Sequence, residues 1–131
     1  MPAESDLAVL LATMEPERVP GEFVFTIVAE VPPTSRPVVT VREAEGITLV
    51  LERAEADALG LTYEYVAGMV TLRVHSALDA VGLTATVASE LAEHGISANV
   101  VAGYFHDHLF VPAGEADGVV GLLRDLARRS R

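Results

Sequence analysis

The chain has 131 residues and a formal net charge of −10; half of its residues are hydrophobic, 5% are aromatic, and it contains neither tryptophan nor cysteine. The acidic balance repels a phosphate backbone and an anionic lipid surface, so neither nucleic acid nor membrane is an expected partner. The absence of cysteine excludes disulfides, thiolate metal sites and a cysteine nucleophile.

No apolar run reaches the roughly 20 residues of a spanning helix. The acidic start Met1-Pro2-Ala3-Glu4-Ser5-Asp6 is unlike a signal peptide, so a cytoplasmic location is expected. With so few aromatics the core must be built from Val, Leu, Ala and Ile. The mean hydropathy of +0.37 is high for a monomer and points to an apolar subunit interface.

In chain order, Leu7, Leu10 and Leu11 predict a helix over Asp6–Met14 that stops before Pro16. Glu22–Glu30 alternates, with Phe23, Phe25 and Ile27 on one face and Val24, Thr26 and Val28 on the other, as a central strand would. Pro32, Pro33 and Pro37 mark a non-helical connection. Val38–Glu43 and Ile47–Leu51 read as a hairpin turning at Gly46, and Arg53–Leu59 as a short helix closed by Gly60.

The pattern then restarts. Met69–His75 is a predicted strand, Gly82–His94 a helix closed by Gly95, and Ser97–Gly103 with Asp107–Val111 a strand pair turning at Tyr104-Phe105-His106. Glu115–Arg128 closes the chain as an amphipathic helix. Its arginines Arg124, Arg128, Arg129 and Arg131 suit the negative pole of a helix end. The order β-α-β-β-α is the split βαβ unit, with two helices on one sheet face. Its fourth strand is missing from the C-terminal half. The strand around Phe23 or the stretch Tyr63–Val66 must supply it, so the halves are expected to be interlocked.

Val74-His75-Ser76-Ala77-Leu78-Asp79-Ala80-Val81-Gly82-Leu83-Thr84-Ala85, followed by Leu91-Ala92-Glu93-His94-Gly95-Ile96-Ser97-Ala98-Asn99-Val100-Val101, resembles the core signature of ACT domains. Nearly the whole chain is similar to small bacterial proteins with tandem ACT-like repeats related to the aspartate kinase regulatory region. Val19 to Phe25, Ala44 to Val50 and Asn99 to Pro112 carry the remaining likeness. The resemblance implies an α+β, ferredoxin-like βαββαβ fold in two tandem units, 1-66 and 67-131, with helices packed on antiparallel sheets. It further implies an amino-acid-binding regulatory module without catalysis or cofactor, homo-oligomeric (a dimer), whose partners are an amino acid or related small metabolite and a metabolic enzyme.

Under that resemblance a physical site can be drawn. The loop before the second-half helix lies at a helix N-terminus, where free N–H groups and the positive dipole end attract a carboxylate. Gly82 and Leu83 allow close backbone approach, Asp79 offers a partner for an ammonium group, and Ser76 offers a hydroxyl. Asn99 and Val100 would face the pocket from the neighbouring strand. The plainer readings are helix capping for Ser76, Asp79 and Gly82.

Two alternatives remain. The fold could serve only for oligomerisation or for docking on an enzyme, with empty clefts. His106-Asp107-His108 could instead seed a small metal-dependent enzyme, since residues i and i+2 on a strand share a face. No H-E-x-x-H, G-x-S-x-G, phosphate loop or dinucleotide fingerprint accompanies it, so no metal is expected.

Overall fold

The computed structural model describes residues 3–131. Its elements are α1 (Leu7–Thr13), β1 (Pro16–Val28), β2 (Val39–Glu43), β3 (Gly46–Glu52), α2 (Arg53–Ala58), β4 (Val66–Leu72), α3 (Leu83–Glu93), β5 (Asn99–Ala102), β6 (Asp107–Pro112) and α4 (Ala116–Arg129), with a 3-10 turn at Ala113–Glu115 before α4. They form two units. One joins the chain up to Val19 with Gly68–Arg131; the other is Pro20–Ala67, so both boundaries fall inside strands, β1 and β4.

In the first unit the strand order is β1-β4-β6-β5. The opening residues of β1 therefore supply the missing fourth strand. That strand is longer than the alternation at Glu22–Glu30 suggests, because it begins at Pro16. Pro16 opens it, where a missing N–H costs no ladder bond, so the Pro-Glu-Arg-Val-Pro-Gly run, which reads as a breaker, is extended chain. Strand β4 also starts and ends about three residues earlier than its pattern implied. Beyond it, the Arg73 amide donates to the Glu15 carbonyl at 2.9 Å.

Three helices cover this unit's core. Asp6 caps α1, its side chain accepting from the Val9 amide at 3.1 Å, and Leu10 is fully buried. Helix α1 packs on α3 and α4. Leu83, Val87 and Leu91 of α3 and Val119 and Leu123 of α4 close over Val70, Leu72, Leu109 and Val111 of the strands. Burial at these spacings is what holds helices this short, whose intrinsic stability in water is marginal. Gly68 lets α4 approach: a Cβ there would stand 2.5 Å from that of Ala116.

The second unit orders its strands β2-β3-β1. Val39–Glu43 pairs antiparallel with Gly46–Val50 in a tight hairpin at Gly46, and Phe23–Val28 pairs antiparallel with Ile47–Glu52. Val24, Leu49, Leu51 and Ala56 of α2 make its small core. The proline-rich connection before β2 stands where a ferredoxin-like unit carries its first helix. The buried Thr26 hydroxyl is satisfied, donating to the Thr62 carbonyl at 2.7 Å.

Candidate ligand site at the N-terminus of α3

After β4 the chain cannot enter a helix directly. Residues 73–82 run as an irregular loop, held by the segment around Glu4: the Glu4 amide donates to the His75 carbonyl at 2.8 Å, and the Ala77 amide donates to the Glu4 carbonyl at 2.7 Å. These bonds make a parallel bridge between Glu4 and Ser76. The loop ends at Gly82, the N-cap of α3, with φ +103°. No side chain caps this helix. The capping roles considered for Ser76 and Asp79 are therefore not those the structure shows. The first backbone bond of the helix is from the Thr86 amide to the Gly82 carbonyl, at 2.9 Å. The amides of the first turn are thus left without an intrahelical acceptor.

A small cleft of about 110 Å³ opens at this helix start. Ser76, Gly82, Leu83 and Thr84 line it from the loop and helix, and Ala102 and Asp107 from β5 and β6. Ser76 and Asp107 are each only 9% exposed. Four polar or charged residues are buried among the described residues: Thr26, Thr71, Ser76 and Asp107. The two threonines have side-chain hydrogen bonds, Thr71 with His108 Nδ1 at 2.9 Å. The side chains of Ser76 and Asp107 have no hydrogen-bond partner among the described residues. Among the described residues the fully enclosed side-chain polar atoms without a partner are Arg18 Nε and Tyr65 Oη, so the polar atoms of Ser76 and Asp107 stay open to the cleft. Burial pushes the Asp107 carboxyl above the usual carboxylate range, with His108 and His106 pulling it back.

Of the residues singled out in the sequence, the structure brings Ser76, Gly82 and Leu83 together in this cleft. Asp79 is exposed and lines a neighbouring hollow of about 420 Å³, shared with Ser76, Ala77 and Leu78 and closed by His75 and Tyr104. Asn99 and Val100 lie on β5, opposite Phe110 and Leu109, and line neither space. Val100 packs against the core and Asn99 is exposed. Asp107 is the residue that the pattern alone did not assign to this loop. The signal was present, since a carboxylate opening an otherwise apolar strand, Asp-His-Leu-Phe-Val, needs a reason to be buried.

Among the described residues no group of three His, Cys, Asp or Glu side chains is placed to hold a metal ion. Burial lowers the pKa of both His106 and His108. The C-terminal arginines act as helix-end partners: Arg129 reaches Asp125 at 3.0 Å and Glu90 at 3.1 Å, and Arg128 reaches Asp125 at 3.2 Å. Among the described residues no helix is long and apolar enough to cross a membrane.

Split-βαβ topology with a polar cleft at the start of a crossover helix defines a ferredoxin-like fold. Two ACT-domain models match the chain in tandem, over residues 2–68 and 64–125, and the chain belongs to the ACT domain family. ACT domains are in general regulatory and ligand-binding. A crystal structure of a Vibrio cholerae protein of unknown function, described as a possible transport protein, shares 46% identity over 92% of this chain and 95% of that one, with a TM-score of 0.83. An Agrobacterium tumefaciens protein is 19% identical over 87% of this chain and 89% of that one, with a TM-score of 0.70. The ligand-free regulatory subunit of aspartate kinase from Thermus thermophilus has the same fold at 8% identity, with a TM-score of 0.65 over 88% of this chain and 97% of that one. No curated protein matches the chain.

Proposed function

We propose that this protein is a non-catalytic sensor that binds a free amino acid, or a metabolite with the same head group, in the cleft before α3. The observation that carries this reading is the pair Ser76 and Asp107: both nine-tenths buried, both without a hydrogen-bond partner among the described residues, and both lining one cleft at an uncapped helix start. An α-carboxylate is the natural acceptor for the free first-turn amides, helped by the positive end of the dipole. An α-ammonium is the natural partner for the Asp107 carboxylate, and Ser76 can serve either group.

In this reading the repeats divide as 1-66 and 67-131. The N-terminal repeat lacks the loop that forms the cleft, because prolines replace its first helix, so a single site per chain is expected. Binding would bias packing between copies of the chain in a cytoplasmic homodimer, or between the chain and a metabolic enzyme, which is how a binding module transmits a signal. Val38 and Val41, exposed beside or on the edge strand β2, give such a dimer apolar surface.

Calorimetric titration and thermal unfolding with the twenty amino acids test the proposal. A true ligand stabilises the fold by about 2.7 kcal/mol at a hundredfold excess over its Kd. Asp107→Asn should remove that gain while leaving the protein folded. A flat response across the whole panel from folded protein would refute the sensor reading and favour docking or oligomerisation with an empty cleft.

A further inference from the structure

We infer that the ligand carries a large apolar or aromatic side chain; this rests on the head-group site proposed above and goes on to its specificity. The cleft before α3, about 110 Å³, has room for a head group and little else. Ser76, Ala77 and Leu78 line both it and the hollow of about 420 Å³, so the two spaces adjoin and the hollow is the nearest room for a substituent of the head group.

The hollow is lined by Leu78, Tyr104, His75 and Ala3. Phe105 continues the aromatic surface, its ring centroid 5.0 Å from those of both His75 and Tyr104. Leu78, Tyr104 and Phe105 are 68%, 74% and 57% exposed, a grouping of large apolar side chains that soluble proteins keep for something that covers it. An aromatic or branched apolar side chain would be covered there at little entropic cost, stacking on Tyr104.

The charges argue the same way. No arginine lines either space, and the chain contains no lysine. An acidic side chain would find no arginine or lysine and would face Asp79. A lysine side chain could reach Asp79, but that carboxylate is exposed, so water screens the attraction and it adds little. Small polar side chains would leave the apolar wall bare.

Titration calorimetry of the full chain with phenylalanine, leucine, alanine, aspartate and lysine decides the matter, repeated on Tyr104→Ala and Asp107→Asn. Phenylalanine or leucine should bind at least tenfold more tightly than alanine or aspartate. Tyr104→Ala, at an exposed position whose truncation spares the core, should shrink that ratio at least fivefold while alanine binding stays as it was. Asp107→Asn should weaken all of them together. Tightest binding of aspartate or lysine, or an unchanged ratio in Tyr104→Ala, would overturn the specificity while leaving the head-group site standing. Absence of binding by every amino acid would overturn both.

Discussion

The imidazole Nδ1 of His108 lies 2.9 Å from the hydroxyl of Thr71, tying β6 to β4 next to Asp107, the proposed partner of the ligand's ammonium group. Thr71 is buried and His108 half-buried, and burial lowers the pKa of His108, with His106 and Arg73 adding to the effect and Asp107 opposing it. His106 is shifted the same way by burial, Arg73 and His75. An unfolded histidine titrates near 6.5. Below that pH the unfolded chain takes up protons that the folded one refuses, so stability falls as pH drops from about 6.5 toward the lowered folded values. Above that window these groups contribute no slope. Urea unfolding at pH 7.5, 6.5 and 5.5 should show a flat upper interval and a loss in the lower one. In His108→Gln the lower loss should shrink.

Asp107 works with the opposite sign. Its carboxyl is raised above the ordinary value, so in the window just above that value the folded state holds the proton longer and stability rises as pH falls. At neutral pH the buried charge is a cost that ligand binding would offset. Asp107→Asn should therefore raise the thermal midpoint of the free protein at pH 7 while abolishing ligand stabilisation. It should also deepen the acid-side loss, since it removes both the compensating carboxyl and the charge that supports His108. A variant less stable than wild type at pH 7 would show that the carboxylate is structurally paired after all.

Gly82 is constrained in two ways. Its φ of +103° is one that L side chains rarely adopt, and a Cβ there would meet Leu7 Cδ2 at 2.9 Å. Gly82→Ala should cost roughly 1–3 kcal/mol, the usual range for enforced backbone strain. Trimming the neighbour in Leu7→Ala/Gly82→Ala should not restore stability, because the backbone term persists. Chemical denaturation of the single and double variants measures this.

Gly68 offers the contrasting case. No left-handed φ is involved, and the conflict is a Cβ 2.5 Å from that of Ala116 at the start of α4. Gly68→Ala should lose about 1–3 kcal/mol by overpacking. Ala116→Gly in the same chain should recover part of it, since it removes the atom in conflict. A double-mutant cycle with coupling near zero would show that the helix shifts to accommodate the methyl group.

Much of this protein was legible in its residues alone. The periodicities of Leu83, Val87 and Leu91 and of Val119 and Leu123 placed α3 and α4 correctly, because a helix face that must be buried writes itself at that spacing. Gly46, Gly60 and Gly95 marked their turns and helix ends, as all three take positive φ. The resemblance around Ser76 to Leu83 pointed to the family and to the loop. Strand ends were less legible. The start of β1 is masked by Pro16 and Pro20, which local propensity reads as breakers, and only pairing beside β4 makes that stretch a strand.

The site divides along the same line. That a helix start follows Gly82 is a local property of chain chemistry, readable from a glycine and the amphipathic run behind it. Which side chains meet there is a long-range property. Asp107 reaches the cleft from 25 positions beyond Gly82 because β6 lies between β4 and β5, whereas Asn99 and Val100 on β5 line neither space. Sequence spacing carries no information about such a meeting. Strand order sets it, by bringing Asp107 of β6 to the same cleft as Ser76.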